Sequence, residues 1–233
     1  MFHVKHRRDR FDKFEIEEEA LLDQALAALQ AYGVEIPAGA AQQLIRFAEL
    51  VRQANQSTQL VSRRDEGKIV QRHIVESLAV PTAVSFDFEN ILDLGTGAGF
   101  PGVPLAILYP DKQFTLLDSK RKKILFLRRV QKELRLENVH ILQSRIEDLE
   151  PTTGFEAVLA RAVADLRTLW DWARPHVAPS GVMLAMKGGD LTDEVEMLKK
   201  AAPDLQVSCR PYAMPWLDEK ANRKLVIIKK TVQ

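Results

Sequence analysis

The stretch Ile91-Leu92-Asp93-Leu94-Gly95-Thr96-Gly97-Ala98-Gly99-Phe100-Pro101-Gly102 permits few architectures. A short apolar run ends in an acid and a leucine, breaks into alternating glycines, and meets Pro101 and Pro104. The apolar run suits a strand covered on both faces, as parallel sheets require. The glycines allow positive φ and let a ligand lie against bare backbone. Pro101 and Pro104 fit a first helical turn, where a missing N–H costs little. A strand, a glycine turn and a helix in this order hold nucleotide-like ligands at the carboxyl ends of an open sheet.

The spacing narrows the ligand. Gly95, Gly97 and Gly99 form G-x-G-x-G, which differs from the G-x-G-x-x-G of nicotinamide binders, and no Walker lysine pair follows. A second strand-like run, Gln113 to Leu117, ends in Asp118. A carboxylate at that tip can accept hydrogen bonds from both hydroxyls of an adenosine ribose. With Asp93 before the glycines, the pattern looks like the S-adenosylmethionine site of a Rossmann-like methyltransferase. The alternative is a glycine turn that only packs helix on strand.

Taken in order, the chain predicts a basic arm over 1–12, a helical extension over 13–88 and an α/β domain over 89–233. Helical spacing appears over about 15–32 and 38–55, and Asp65 offers an N-cap for a third helix through Leu78, ending before Pro81. From residue 90 strands and helices alternate, which implies a mainly parallel sheet. Five strands are expected near 90–94, 113–118, 140–143, 155–160 and 182–186. Runs near 205–210 and 224–229 suggest an antiparallel hairpin at one edge, making seven strands. The expected fold is α/β, a Rossmann-like class I methyltransferase with an N-terminal helical extension.

The single cysteine, Cys209, excludes an intrachain disulfide and thiolate-rich metal clusters, and suits a reducing cytosol. No apolar run reaches the length of a membrane span. A cytoplasmic location is expected, and a monomer, since no apolar heptad or long edge strand is evident. The net charge of +1 does not announce a polyanion partner. Basic residues nevertheless cluster at Lys5 to Arg10, at Arg63, Arg64, Lys68 and Arg72, and from Lys120 to Arg135. Arg128, Lys132 and Arg135 are spaced to share a helix face, which either solvates that face or meets RNA.

After strand three, Ser144-Arg145-Ile146-Glu147 lies where an adenine ring would be held, or it merely caps a helix. Gly95 and Phe100 flank the place of the methionine part, where Phe100 could wall the pocket. Arg161 ends strand four and could meet the cofactor carboxylate, a substrate phosphate, or a structural ion pair. His73 could line the pocket mouth or be structural, and Lys187 could meet phosphate or solvent. The chain lacks the acid-proline-aromatic signature of exocyclic-amine methylation, a Pro-Cys nucleophile and a metal-ligand spacing. Guanine N7 needs none of these, because its lone pair is already free. It can attack a sulfonium methyl with orientation supplying most of the acceleration.

Several segments together resemble the RsmG (GidB) family, the bacterial 16S ribosomal RNA guanine-N7 methyltransferases. They are Gln59-Leu60-Val61-Ser62, Arg72-His73 with Glu76-Ser77-Leu78, Asp93 to Gly102, Leu117-Asp118-Ser119, Gln143 to Glu147, Ala160-Arg161-Ala162 and Lys187-Gly188. The resemblance runs from about residue 38 to the end. It implies that Gly95, Phe100, Ile146, Glu147 and Arg161 contact S-adenosylmethionine; Gly97 and Asp118 complete the cofactor set. It also implies one guanine near the decoding site of 16S ribosomal RNA as target, within a small-subunit particle. Gln59-Leu60-Val61 and Glu76 depart from the family's frequent Asn-Leu-Thr and Asp, which touches the substrate side rather than the cofactor. Two other readings are a methyltransferase for a small molecule or protein, and a cofactor-binding assembly factor without turnover.

Overall fold

The computed structural model describes residues 17–151, 154–212 and 222–231. The basic arm expected over 1–12 and the stretch 213–221 between the last two strand-like runs lie outside them. Helix α1, residues 17–30, buries Leu22, Ala25, Leu26 and Leu29 at helical spacing. Gly33, at φ 78°, turns the chain away so that the Val34 N–H reaches back to the Leu29 carbonyl at 3.2 Å. Helix α2, Ala40–Asn55, buries Leu44, Phe47, Ala48 and Val51. Beyond its end the Asn55 side-chain oxygen accepts the N–H groups of Leu60 at 2.8 Å and Val61 at 3.0 Å, which fixes the exit.

The third helix is not the single element expected. It consists of a 3-10 turn, Glu66–Lys68, a π-helical stretch, Val70–Ile74, and the short helix α3, Val75–Leu78. A further turn, α4 (Val80–Ala83), takes Pro81 into its start, so the proline begins an element instead of ending one. Asp65 does not cap the turn with its side chain. Its carboxylate accepts from Ser62 Oγ at 2.6 Å and pairs with Arg72 at 2.7 Å. Those stronger local partners replace the cap.

The sheet contains β1 (Asn90–Leu94), β2 (Gln113–Asp118), β3 (Val139–Gln143), β4 (Phe155–Arg161), β5 (Val177–Lys187), β6 (Leu205–Pro211) and β7 (Lys224–Lys230). Their spatial order is β3-β2-β1-β4-β5-β7-β6, with β7 antiparallel to both neighbours and the other pairings parallel. Helix α5 (Gly102–Leu108) and α6 (Arg121–Leu134) follow β1 and β2, and α7 (Leu166–Ala173) follows β4. Helix α8, Thr192–Ala201, between β5 and β6, was not anticipated, although acids open it and Lys199 and Lys200 close it. Strand β5 is also longer than expected, and its register with β4 slips between Phe155 and Ala157.

Period-two burial divides the core. Ile91, Phe114, Leu116, Leu159 and Leu184 face one way and pack with α5, α6 and the helical extension in a continuous cluster. Leu92, Leu117, Val158 and Ala185 face the other way, against α7 and α8. The extension thus lies on one sheet face and brings α3 close to α5. Among the described residues no helix is long and apolar enough to cross a membrane.

Candidate active site

The turn after β1 needs its glycines. Gly95, Gly97 and Gly99 have φ of 67°, 63° and 95°. A Cβ on Gly95 would lie 2.9 Å from Val163 Cγ2, in a place already taken by the loop after β4. Asp93 is buried without exposure, and its Oδ2 accepts from Thr96 Oγ1 at 2.6 Å and from the Gly102 N–H at 2.9 Å. A Cβ on Gly102 would meet Asp93 Oδ2 at 2.6 Å, so only glycine admits this bond. Burial pushes the Asp93 carboxyl up to about 6, against the pull of those two donors. Its second oxygen, Oδ1, has no partner among the described residues.

The Thr96 N–H donates to the Leu117 carbonyl at 3.0 Å and ties the glycine turn to β2. Asp118, 6% exposed, ends that strand. Its Oδ2 accepts from the Gly97 N–H at 3.1 Å and from Lys123 Nζ at 3.2 Å, and its Oδ1 from the Lys120 N–H at 2.9 Å. Here the strand ends open into a cavity of about 410 Å³. Gly95, Asp118, Ile146, Glu147, Val163 and Trp172 are among its walls. Ile146 is buried in a 3-10 turn, Ile146–Asp148, whereas Glu147 is exposed.

A second group lies between the end of β4 and the helical extension. Arg161 Nη2 faces Glu76 Oε2 at 2.8 Å, the Arg72 carbonyl at 2.9 Å and His73 Nδ1 at 3.0 Å. Those are three acceptors for two hydrogens, while Nη1 has none among the described residues. Glu76, 3% exposed, also meets Arg223 Nε at 3.3 Å through its other oxygen. The Phe100 ring stacks on His73 at 5.0 Å and tilts against Phe47 at 5.1 Å. Burial and the neighbouring Arg161 pull His73 down to about 4, so it is neutral at physiological pH. Because Nδ1 accepts from arginine, the ring proton resides on Nε2, whose nearest carboxylate is Asp65 at 4.0 Å. Burial also pushes the Tyr212 hydroxyl well up, and that hydroxyl lacks a partner among the described residues.

The expected residues therefore fall into two neighbouring groups. Gly95, Asp118, Ile146 and Glu147 line the cavity, with Gly97 bonded to Asp118 at its edge. Phe100, His73 and Arg161 sit together at the second group. Lys187 stands apart, donating to the Ala164 carbonyl at 2.7 Å and to Glu194 at 2.8 Å, which steadies the loop after β4. Arg135 is not on the α6 face with Arg128 and Lys132. It is the C-cap residue, at φ 54°. The roles of Thr96, Gly102, Lys123 and Arg223 escaped the sequence reading. Only the glycine two residues before Pro104 carried a usable signal.

Comparisons with known proteins narrow this arrangement. Residues 40–226 match the family model GidB, described as rRNA small subunit methyltransferase G. The chain belongs to that family. A relative from Photobacterium profundum, "Ribosomal RNA small subunit methyltransferase G", is 38% identical over 189 residues, 81% of this chain and 90% of the relative. One of the same name from an Escherichia coli strain is 36% identical over 210 residues, 90% of this chain and 98% of the relative. Among solved structures, a glycopeptide N-methyltransferase complexed with sinefungin superposes at a TM-score of 0.53 and 15% identity. It covers 68% of this chain and 94% of that one, a likeness of fold alone. The family match spans both residue groups as well as the helices that join them.

Proposed function

We propose that this chain binds S-adenosylmethionine in the cavity at the ends of β1 to β3 and methylates N7 of one guanine near the decoding site of 16S ribosomal RNA. The observation that carries the reading is Asp118 at the cavity wall together with two buried side-chain atoms of opposite charge type, Asp93 Oδ1 and Arg161 Nη1, that have no partner among the described residues. Asp118 uses three of roughly four acceptor positions, and the long Lys123 side chain can withdraw to release another, which suits two ribose hydroxyls. Ile146 offers an apolar face and the Ser144–Glu147 backbone offers donors for a flat adenine. Asp93 Oδ1 and Arg161 Nη1, buried and unpaired, suit an ammonium and a carboxylate on one α-carbon. When bound, the cofactor supplies an electrophilic methyl group on a sulfonium.

Guanine N7 gives its lone pair to the new N–C bond, and no proton is removed. The residues at hand agree with that economy. His73 is neutral and held by stacking, and Arg161 is held by Glu76, so this side of the cleft positions groups rather than moving protons. Lys187 and Glu194 fix the loop from Ala162 to Ala164 that borders the acceptor. The enzyme acts as a monomer in the cytoplasm on a small-subunit particle, and the exposed free thiol of Cys209 suits that reducing compartment.

Mass spectrometry of N7-methylguanosine in small-subunit RNA, from cells with and without the gene, tests this. One modified guanine should vanish with the gene and return with the intact chain but not with Gly95→Asp. An unchanged spectrum would move the methyl acceptor elsewhere.

A further inference from the structure

We propose that the exposed basic segment from Arg63 to Arg72 is the surface on which the RNA phosphate backbone docks; this rests on the RNA-methylating function above and deepens it. Arg63, Arg64, Lys68 and Arg72 are all exposed. The backbone beneath them is fixed. Val61, Ile69 and Val70 are buried, Asn55 holds the entry at Leu60 and Val61, and Asp65 clamps Ser62 to Arg72. The cations therefore project from a preorganised platform, which lowers the ordering cost of binding.

Some surface cations elsewhere are matched, Arg46 with Glu49 and Glu133 and Arg129 with Glu133, while others such as Arg128 and Lys132 are not matched among the described residues, so position must choose among the unmatched ones. Among the described residues Arg63, Arg64 and Lys68 make no ion pair, and Asp65 is committed to Arg72. Four cations face two carboxylates, Asp65 and Glu66, over this segment. An unmatched cluster on a fixed backbone suits a polyanion.

Position selects the occupant. Arg161 Nη2 bonds the Arg72 carbonyl, and the His73 ring stacks on Phe100, so the segment adjoins the end of β4 and the glycine turn. That is the reacting end of the cleft, where a methyl acceptor must arrive. The unpaired cations Arg128 and Lys132, on the outer side of α6, follow β2 and Asp118 and so border the ribose side. A guanine entering at β4 places its flanking phosphates over residues 63–72, not over α6.

The test compares the wild type with Arg63→Glu/Arg64→Glu/Lys68→Glu and with a control on α6, Arg128→Glu/Lys132→Glu. Methyl transfer to purified small-subunit particles and calorimetric affinity for S-adenosylmethionine are measured across a salt series. The triple variant should keep its cofactor affinity and melting temperature but lose about tenfold or more in kcat/KM. Its dependence of log kcat/KM on log salt should flatten by about two, from roughly 0.7 to 0.9 per lost phosphate contact. The neutral variant Arg63→Gln/Arg64→Gln/Lys68→Gln should show the same flattening without introduced repulsion. Wild-type transfer with an unaffected triple variant overturns the docking surface and leaves the function standing. A loss confined to the α6 variant also overturns it. A wild type that transfers no methyl to small-subunit RNA overturns the function, and the docking surface with it.

Discussion

Glu76 is the residue whose removal tests the joint between extension and sheet most sharply. Its side chain is 4% exposed, and it pairs with Arg161, 13% exposed, and with Arg223, 43% exposed. Removing one partner of a buried pair costs about 3–5 kcal/mol, because the other charge stays buried and uncompensated. Arg161 would keep the Arg72 carbonyl and His73 Nδ1, so Glu76→Ala belongs at the low end, about 3 kcal/mol. The half-exposed Arg223 adds little, since water screens it. For a chain of this size 1 kcal/mol moves the melting point by about 2–4 °C, so a fall of roughly 6–12 °C is expected by calorimetry. A double-mutant cycle with Arg161→Met should show a coupling energy of about 1.5 kcal/mol or more. A melting point within about 2 °C of wild type, or additive effects in the cycle, would refute the buried pair.

Gly95→Asp should abolish cofactor binding in a calorimetric titration while the fold persists by circular dichroism, because the backbone is at φ 67° and the new Cβ would meet Val163. Undiminished binding would refute the pocket. Asp118→Asn should raise the Kd for S-adenosylmethionine about tenfold, the worth of roughly one charge-assisted bond to a ribose hydroxyl; a Kd within twofold of wild type would count against that contact. Asp93, with its carboxyl pushed up to about 6, holds its proton in the folded state alone between about pH 4 and 6. Stability from this group therefore falls as pH rises through that window, by about 3 kcal/mol in all, and Asp93→Asn should flatten the fall in urea midpoints of the cofactor-free protein. A variant with the wild-type pH slope would rule out the buried acid as its source. The same carboxylate must be ionised to receive an ammonium at Oδ1, so affinity for S-adenosylmethionine should drop by up to about tenfold per pH unit below 6. A flat profile between pH 5 and 7 would separate Asp93 from the ligand.

The legible parts were those written in local pattern. Continuous apolar runs in β1, β2 and β4 follow from burial on both faces and helical spacing in α1, α2 and α6 from burial on one, so the sheet and the extension could be read from residues a few positions apart. The glycine turn was legible for a different reason, since positive φ at Gly95, Gly97 and Gly99 restricts the residue type itself. Asp118 was legible by its place at a strand tip. The joint at Arg161 was not. Arg161 lies 85 positions from Glu76, and no periodicity links an arginine at the end of β4 to an acid in α3. The π-helical stretch Val70–Ile74 was equally hidden, because its apolar residues suit an ordinary helix as well, yet it carries the Arg72 carbonyl and His73 that receive Arg161. Lys187 illustrates the reverse error. Its position on β5 promised a free amine, but Glu194, from a helix that had not been foreseen, takes that amine. Charged residues are decided by which opposite charge tertiary packing brings within about 4 Å. The cations at 63, 64 and 68 keep the freedom that Lys187 lost, and their place beside the residues that hold Arg161 at the end of β4 is what makes them the proposed meeting point with a partner outside the chain.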